Sequence, residues 1–184
     1  NINGDNDDKS VSLEEMAAEA EKRSYIAYHR ANGDINLIQQ LTSNGIPVIV
    51  TTWLKSNEDI GHYRVITGYD SQKMIIYQDD SFQGPNRSYS FDEFLALWQP
   101  FNYQYLVIAP ADKMPLIKQI LGSNIDKVSN WKNTLTRSIE EENTNTQNPY
   151  PVFNQAVANY YLSNFEKAIN LYEKVATRLP KRML

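Results

Sequence analysis

The chain has 184 residues, 41% of them hydrophobic, which is enough for one filled core and a small appended unit. Eighteen basic residues against 22 acidic ones leave a net charge of -4, so there is no basic field for a nucleic-acid backbone. No apolar run approaches the ~20 residues of a membrane-crossing helix, and the absence of cysteine excludes disulfides and thiolate metal sites.

Residues 1–10 hold Asn, Asp, Gly and Lys without apolar periodicity and read as a loop or a cut end, so the chain is expected to begin within a longer protein. Ser12 with Glu15 forms a capping box, and Leu13, Met16, Ala17 and Ala20 follow at helical spacing, which predicts a helix over residues 13–23. A short strand is expected over 25–29. Asp34 caps a second helix whose Ile35, Ile38 and Leu41 stripe stops at Asn44-Gly45. The period then changes to that of strands, over 46–53, 62–69 and 74–79, the last two joined as a hairpin through Asp70-Ser71-Gln72-Lys73. Gly84-Pro85-Asn86 reads as a turn. Ser90 and Glu93 form another capping box for a helix over 91–98, and 103–109 reads as a final buried strand.

From Met114 onward the pattern is helical, broken at 122–124 and again at the uncharged stretch 143–148. Beyond that break Phe153, Ala156, Val157 and Tyr160, then Phe165, Ala168, Ile169, Tyr172 and Val175, predict a helical hairpin ended by Pro180. The chain therefore divides into 1–10, a core domain over 11–110, a helical connector over 111–148 and the hairpin over 149–184.

His29 and His62 are the two imidazoles, and neither has a carboxylate at ligand spacing, so no metal and no cofactor are expected. His29 reads as a strand-edge residue. His62 opens a strand just after Gly61, and Asp79 and Asp80 close the next one. The connection decides which carboxylate shares the histidine's face: an odd-numbered loop sets Asp80 opposite His62, an even-numbered one sets Asp79 there. Directly opposed residues are close enough for a carboxylate to accept the imidazole Nδ1 proton. On spacing alone, a half-buried strand histidine and a turn aspartate is the simpler reading. Trp53, Trp98, Tyr63, Tyr69 and Tyr77 are expected in the core or in cleft walls, Glu140, Glu141 and Glu142 at a solvated helix end, and Asn86-Arg87-Ser88 matches a glycosylation sequon.

The text around those residues changes the weighing. Asn44-Gly45-Ile46-Pro47-Val48-Ile49-Val50, then Gly61-His62-Tyr63-Arg64-Val65-Ile66-Thr67-Gly68-Tyr69-Asp70, then Gln78-Asp79-Asp80-Ser81-Phe82-Gln83-Gly84-Pro85-Asn86, resembles the peptidase C39-like family over about residues 12–110. The resemblance implies an α+β, papain-like fold with an antiparallel sheet, and peptide-bond hydrolysis on a peptide or protein substrate. It assigns His62 as the family histidine and Asp80 as its aspartate, with Asp79 as the fallback. The family's Gln and its Asn-Cys-Gly-Pro segment have no counterpart here, so this chain alone is expected to be inactive. Ser10, Ser12 and Thr51 lack the local signature of an activated nucleophile that could replace the thiol.

Ala156, Ser163, Phe165, Ala168, Tyr172, Val175 and Pro180 are similar to the small, aromatic and proline positions of one tetratricopeptide repeat, a unit that supplies protein-binding faces and leaves one helical face for a neighbour or a second copy to cover. Two classes of function follow: a fragment of a cysteine peptidase, or a non-catalytic relative serving as an interaction or assembly module. The family resemblance also implies an exported or envelope-associated bacterial protein.

Overall fold

The computed structural model describes residues 11–56 and 58–184. Strands β1 (Ile26–Arg30), β2 (Val48–Trp53), β3 (Gly61–Asp70), β4 (Ile75–Asp80), β5 (Gly84–Ser90) and β6 (Tyr105–Ala109) form one antiparallel sheet in the order β1-β6-β2-β3-β4-β5. Helices α1 (Leu13–Lys22), α2 (Ile35–Ser43) and α3 (Phe91–Trp98) are interleaved with the strands. Helices α4 (Met114–Leu121), α5 (Lys127–Thr144), α6 (Tyr150–Tyr161) and α7 (Phe165–Val175) follow them.

The local chemistry explains these boundaries. Ser12 and Ser90 each accept the backbone N–H three residues on while Glu15 and Glu93 reach back to them, so both expected capping boxes are formed. Asp34 accepts the Leu37 N–H and starts α2. The expected turn at Gly84-Pro85-Asn86 proves to be the beginning of β5. Proline removes a ladder donor, but β5 is an edge strand, where a missing N–H costs little.

Alternation along the strands divides the sheet into two unlike faces. One carries Val48, Val50, Ile66, Ile76, Tyr105 and Val107. Leu37, Ile38 and Leu41 of α2, Phe94 and Trp98 of α3, and Ile117 and Leu121 of α4 cover it in a single buried cluster. The core thus draws on a helix beyond residue 110. The opposite face carries His29, Ile49, Val65 and Leu106, and α1 packs against it at β1 and β6.

Of the acidic run at the end of α5, Glu140 is exposed as expected, while Glu141 and Glu142 are half-buried. Glu141 accepts hydrogen bonds from the Tyr103 hydroxyl at 2.7 Å, from Gln99 and from Arg137, and Glu142 accepts from Gln155 and Lys174. These carboxylates pin α5 to the sheet domain and to α6 and α7.

Candidate functional site

Four residues separate the paired ends Asp70 and Ile75 of the β3–β4 hairpin, an even-numbered loop. An unbroken ladder from that pair would set Asp80 opposite Val65, on the face away from His62. The ladder is broken, however: Gly68 pairs with Tyr77 and Ile66 with Gln78, so Thr67 is an extra residue in β3, a bulge. The bulge shifts the register by one, puts Arg64 opposite Asp80 and returns Asp80 to the face of His62. The expected direct opposition of His62 and Asp80 is therefore replaced by a diagonal relation across two residues, within reach of these side chains. Asp79 points the other way and accepts the Asn86 N–H at 2.9 Å.

His62 Nε2 lies 2.9 Å from Asp80 Oδ1. The pairing uses Nε2 where the sequence suggested Nδ1, and leaves Nδ1 with no hydrogen-bond partner among the described residues. The Asp80 side chain is fully buried and the imidazole is 17% exposed, so the pair has a sealed inner end and an accessible outer one. Asp80 also ends its own strand in a turn: Oδ1 accepts the Phe82 and Gln83 backbone N–H groups at 2.7 and 2.8 Å. Burial pushes the carboxyl upward, but the Gln83 and Phe82 N–H groups together with His62 outweigh it and hold Asp80 below the ordinary aspartate value. An ionised Asp80 can only accept, so Nε2 is the donor of this bond, and in the neutral imidazole Nδ1 then carries the lone pair.

Gly61, just before His62, lies where the chain is crowded. A Cβ there would meet Arg182 Nε at 3.1 Å and the Phe101 ring at 3.5 Å. The Arg182 N–H in turn donates to Asp59, so the last turn of the chain rests against the start of β3.

The face of His62 holds more polar groups than the sequence suggested. Thr52 is directly opposite His62, Arg64 opposite Asp80, and Gln78 opposite Ile66, and all three are buried among apolar neighbours. Strand alternation could have revealed them, since residues 62, 64 and 66 must share a face, but a buried arginine has no motif. Of the alternative nucleophiles, Ser12 is occupied in its capping box and Thr51 faces away from His62, opposite Tyr63. Ser10 lies outside the described residues.

His29, on the other face of the sheet, also meets a carboxylate. Its Nδ1 is 3.0 Å from Glu14 Oε1 and its Nε2 is 3.2 Å from Gln104 Oε1. No group of three or more His, Cys, Asp or Glu side chains suited to a metal occurs among the described residues. Among those residues no helix is long and apolar enough to cross a membrane. A cleft of about 670 Å³ lies beyond the Tyr89 ring, lined by Trp53, Tyr89, Glu93, Leu97 and Tyr150, and His62 is not in its wall.

Comparison with known proteins bears on this constellation. No curated protein matches the chain. The crystal structure of a candidate C39-like peptidase from Bacillus anthracis matches with a TM-score of 0.43 and 18% identity, covering 54% of this chain. The match spans 60% of the length of that structure. The model of the Peptidase_C39 like family matches residues 3–106, more than half of the sequence, and both His62 and Asp80 fall inside that match. The chain belongs to the Peptidase_C39 like family.

Proposed function

We propose that this chain is the base-bearing part of a C39-like cysteine peptidase. His62 is the general base and then the general acid, and Asp80 orients the imidazole and stabilises its protonated form. The observation that carries this reading is the 2.9 Å contact between Nε2 of a partly exposed imidazole and the buried Asp80 carboxylate, which leaves Nδ1 without a hydrogen-bond partner among the described residues. With no cysteine among the 184 residues, the thiol comes from outside this sequence.

In that reaction the thiol proton passes to His62 Nδ1 as sulfur attacks the peptide carbonyl carbon. The C–N bond then breaks, and the imidazolium returns its proton to the leaving amine. Water, deprotonated by the same nitrogen, hydrolyses the acyl thioester and frees the thiol. Asp80 remains an acceptor throughout, as an orienting carboxylate does in a nucleophilic triad. The substrate is a peptide or a protein.

A second reading is favoured by the hairpin of α6 and α7. Tyr160, Phe165 and Ile169 are more than half exposed there, and Tyr160 and Ile169 line an apolar groove of about 600 Å³. In this reading the hairpin is a partial tetratricopeptide repeat and the chain is a non-catalytic interaction module built on a peptidase fold.

An electrophilic peptide probe that alkylates activated thiols separates the two. Applied to the protein from its natural source, it is expected to label a cysteine, and the labelling is expected to fall at least ~100-fold in His62→Ala. A folded, full-length protein that takes no label supports the interaction module instead.

A further inference from the structure

The mechanism above uses one oxygen of Asp80, while the other faces a cation that the family match does not explain. Arg64 is 1% exposed, one of the largest fully buried side chains of the chain. A buried guanidinium needs both a counter-charge and hydrogen-bond acceptors, because removal from water costs several kcal/mol for an ion. Its ion-pair partner among the described residues is Asp80, with Nε 3.4 Å from Oδ2. Its Nη2 donates to the Leu54 carbonyl, and its Cζ sits 4.8 Å above the centre of the Tyr89 ring.

Three fixed points therefore hold the guanidinium plane: a carbonyl, an aromatic face and a carboxylate oxygen. Asp80 is held in a complementary way. Oδ1 is saturated by Phe82, Gln83 and His62, and Oδ2 has no hydrogen bond among the described residues. Of nine buried side-chain atoms without a partner among the described residues, six belong to Thr52, Arg64, Gln78 and Asp80. Two of the six, Arg64 Nε and Asp80 Oδ2, face each other as the ion pair, and each of the other four, left unpaired, would cost about 1–3 kcal/mol. A fold that needed only a filled core would place apolar side chains here, as it does at Val48, Val50 and Ile66 on the same face. The concentration of unpaired polar atoms behind one histidine argues for a local task.

The geometry points to Arg64 as a positioning residue: its guanidinium, 3.4 Å from Oδ2 of Asp80, holds that oxygen inward and turns Oδ1 toward His62 Nε2. Among the described residues Arg64 makes no hydrogen bond to the imidazole. It acts through Asp80, and by fixing the direction of Oδ1 it selects which ring nitrogen of His62 is left unprotonated. The inference rests on the reading of His62 as general base only for its catalytic meaning, since its effect on the tautomer can be read in this chain without any thiol.

The test is nuclear magnetic resonance on the 184-residue chain, in which the two histidines are distinguished by His29→Gln. The ring ¹⁵N shifts of His62 report the tautomer, and the Asp80 carboxyl ¹³C shift reports its titration. In the unaltered chain the neutral imidazole of His62 is expected to be predominantly the Nε2–H form. Arg64→Met is expected to populate the Nδ1–H form, with the Asp80 midpoint moving upward if at all. Arg64→Lys keeps the charge but loses the planar fork, so it is expected to leave the Asp80 titration essentially unchanged and still to mix the two tautomers. If Arg64→Met does not fold, the lysine variant decides alone. A lysine variant with the unaltered tautomer, or a folded methionine variant that loses only thermal stability, overturns the positioning role. Failure of the peptidase reading would appear as absent thiol labelling with these shifts intact.

Discussion

The two histidines make nearly the same first contact in very different places. His62 meets Asp80 at 2.9 Å and His29 meets Glu14 at 3.0 Å. Behind the first contact is a carboxylate with no exposed side-chain surface, locked by two backbone N–H groups and facing a buried arginine. Behind the second is a helix-borne glutamate whose side chain is 57% exposed, and the far ring nitrogen of His29 is already occupied by Gln104. An imidazole–carboxylate distance does not make a base. Of the two, only His62 combines a sealed carboxylate with a second nitrogen that has no hydrogen-bond partner among the described residues, which is what the proposed base requires.

The largest expected effect that separates the two pairs is on stability. Asp80→Ala removes the counter-charge of a buried guanidinium and should cost about 3–5 kcal/mol in chemical denaturation at pH 7. Glu14→Ala, at a solvent-screened pair, should cost less than about 1 kcal/mol. Equal losses would erase the distinction.

The acid limb of the stability curve sharpens the same contrast. Because the folded Asp80 carboxyl lies below its ordinary value of 3.8, the unfolded chain takes up its proton first as pH falls. The stabilisation is thus complete above that value and is lost as pH drops through the lower folded value. Asp80→Asn should flatten stability across that acidic window. Glu14 is also lowered, first by its hydrogen bond with His29 and against the opposing effect of burial, so Glu14→Gln should act in the same direction. Its effect should be smaller, because solvent screens the exposed carboxylate.

The smallest expected effect concerns the imidazoles themselves. His29→Ala loses two contacts at the rim of α1, whereas His62→Ala frees one oxygen of a carboxylate still bound by Phe82 and Gln83. Both should change stability by about 1 kcal/mol or less in thermal unfolding.

Much of this fold could be read from the sequence because its signals are local. Ser12 with Glu15 and Ser90 with Glu93 announce helices, and the β-branched run into Trp53 announces a strand. Local rules failed where the decisive interaction came from elsewhere in the chain. Pro85 suggested a turn, and only the place of β5 at the sheet edge shows why a strand tolerates it. Glu141 looked solvated until Tyr103, Gln99 and Arg137 met it.

The candidate site shows the same division. The loop of four residues, read alone, selects Asp79, and it is the bulge at Thr67 that selects Asp80. A bulge has no reliable signature in a β-branched residue such as threonine, since its position is set by the best overall pairing of two strands. Arg64 was hidden for a related reason: in an alternating strand an arginine reads as outward-facing, and here the alternation carries it into the core.

The comparison is tested most directly by peptide hydrolysis in the full-length protein from its natural source, with each histidine replaced in turn. His62→Ala should lower kcat/KM by about 10²–10⁴-fold while His29→Ala leaves it within about twofold. Unchanged hydrolysis in His62→Ala, or an equal loss in both variants, would contradict the assignment of His62 and Asp80 as the base and its orienting carboxylate.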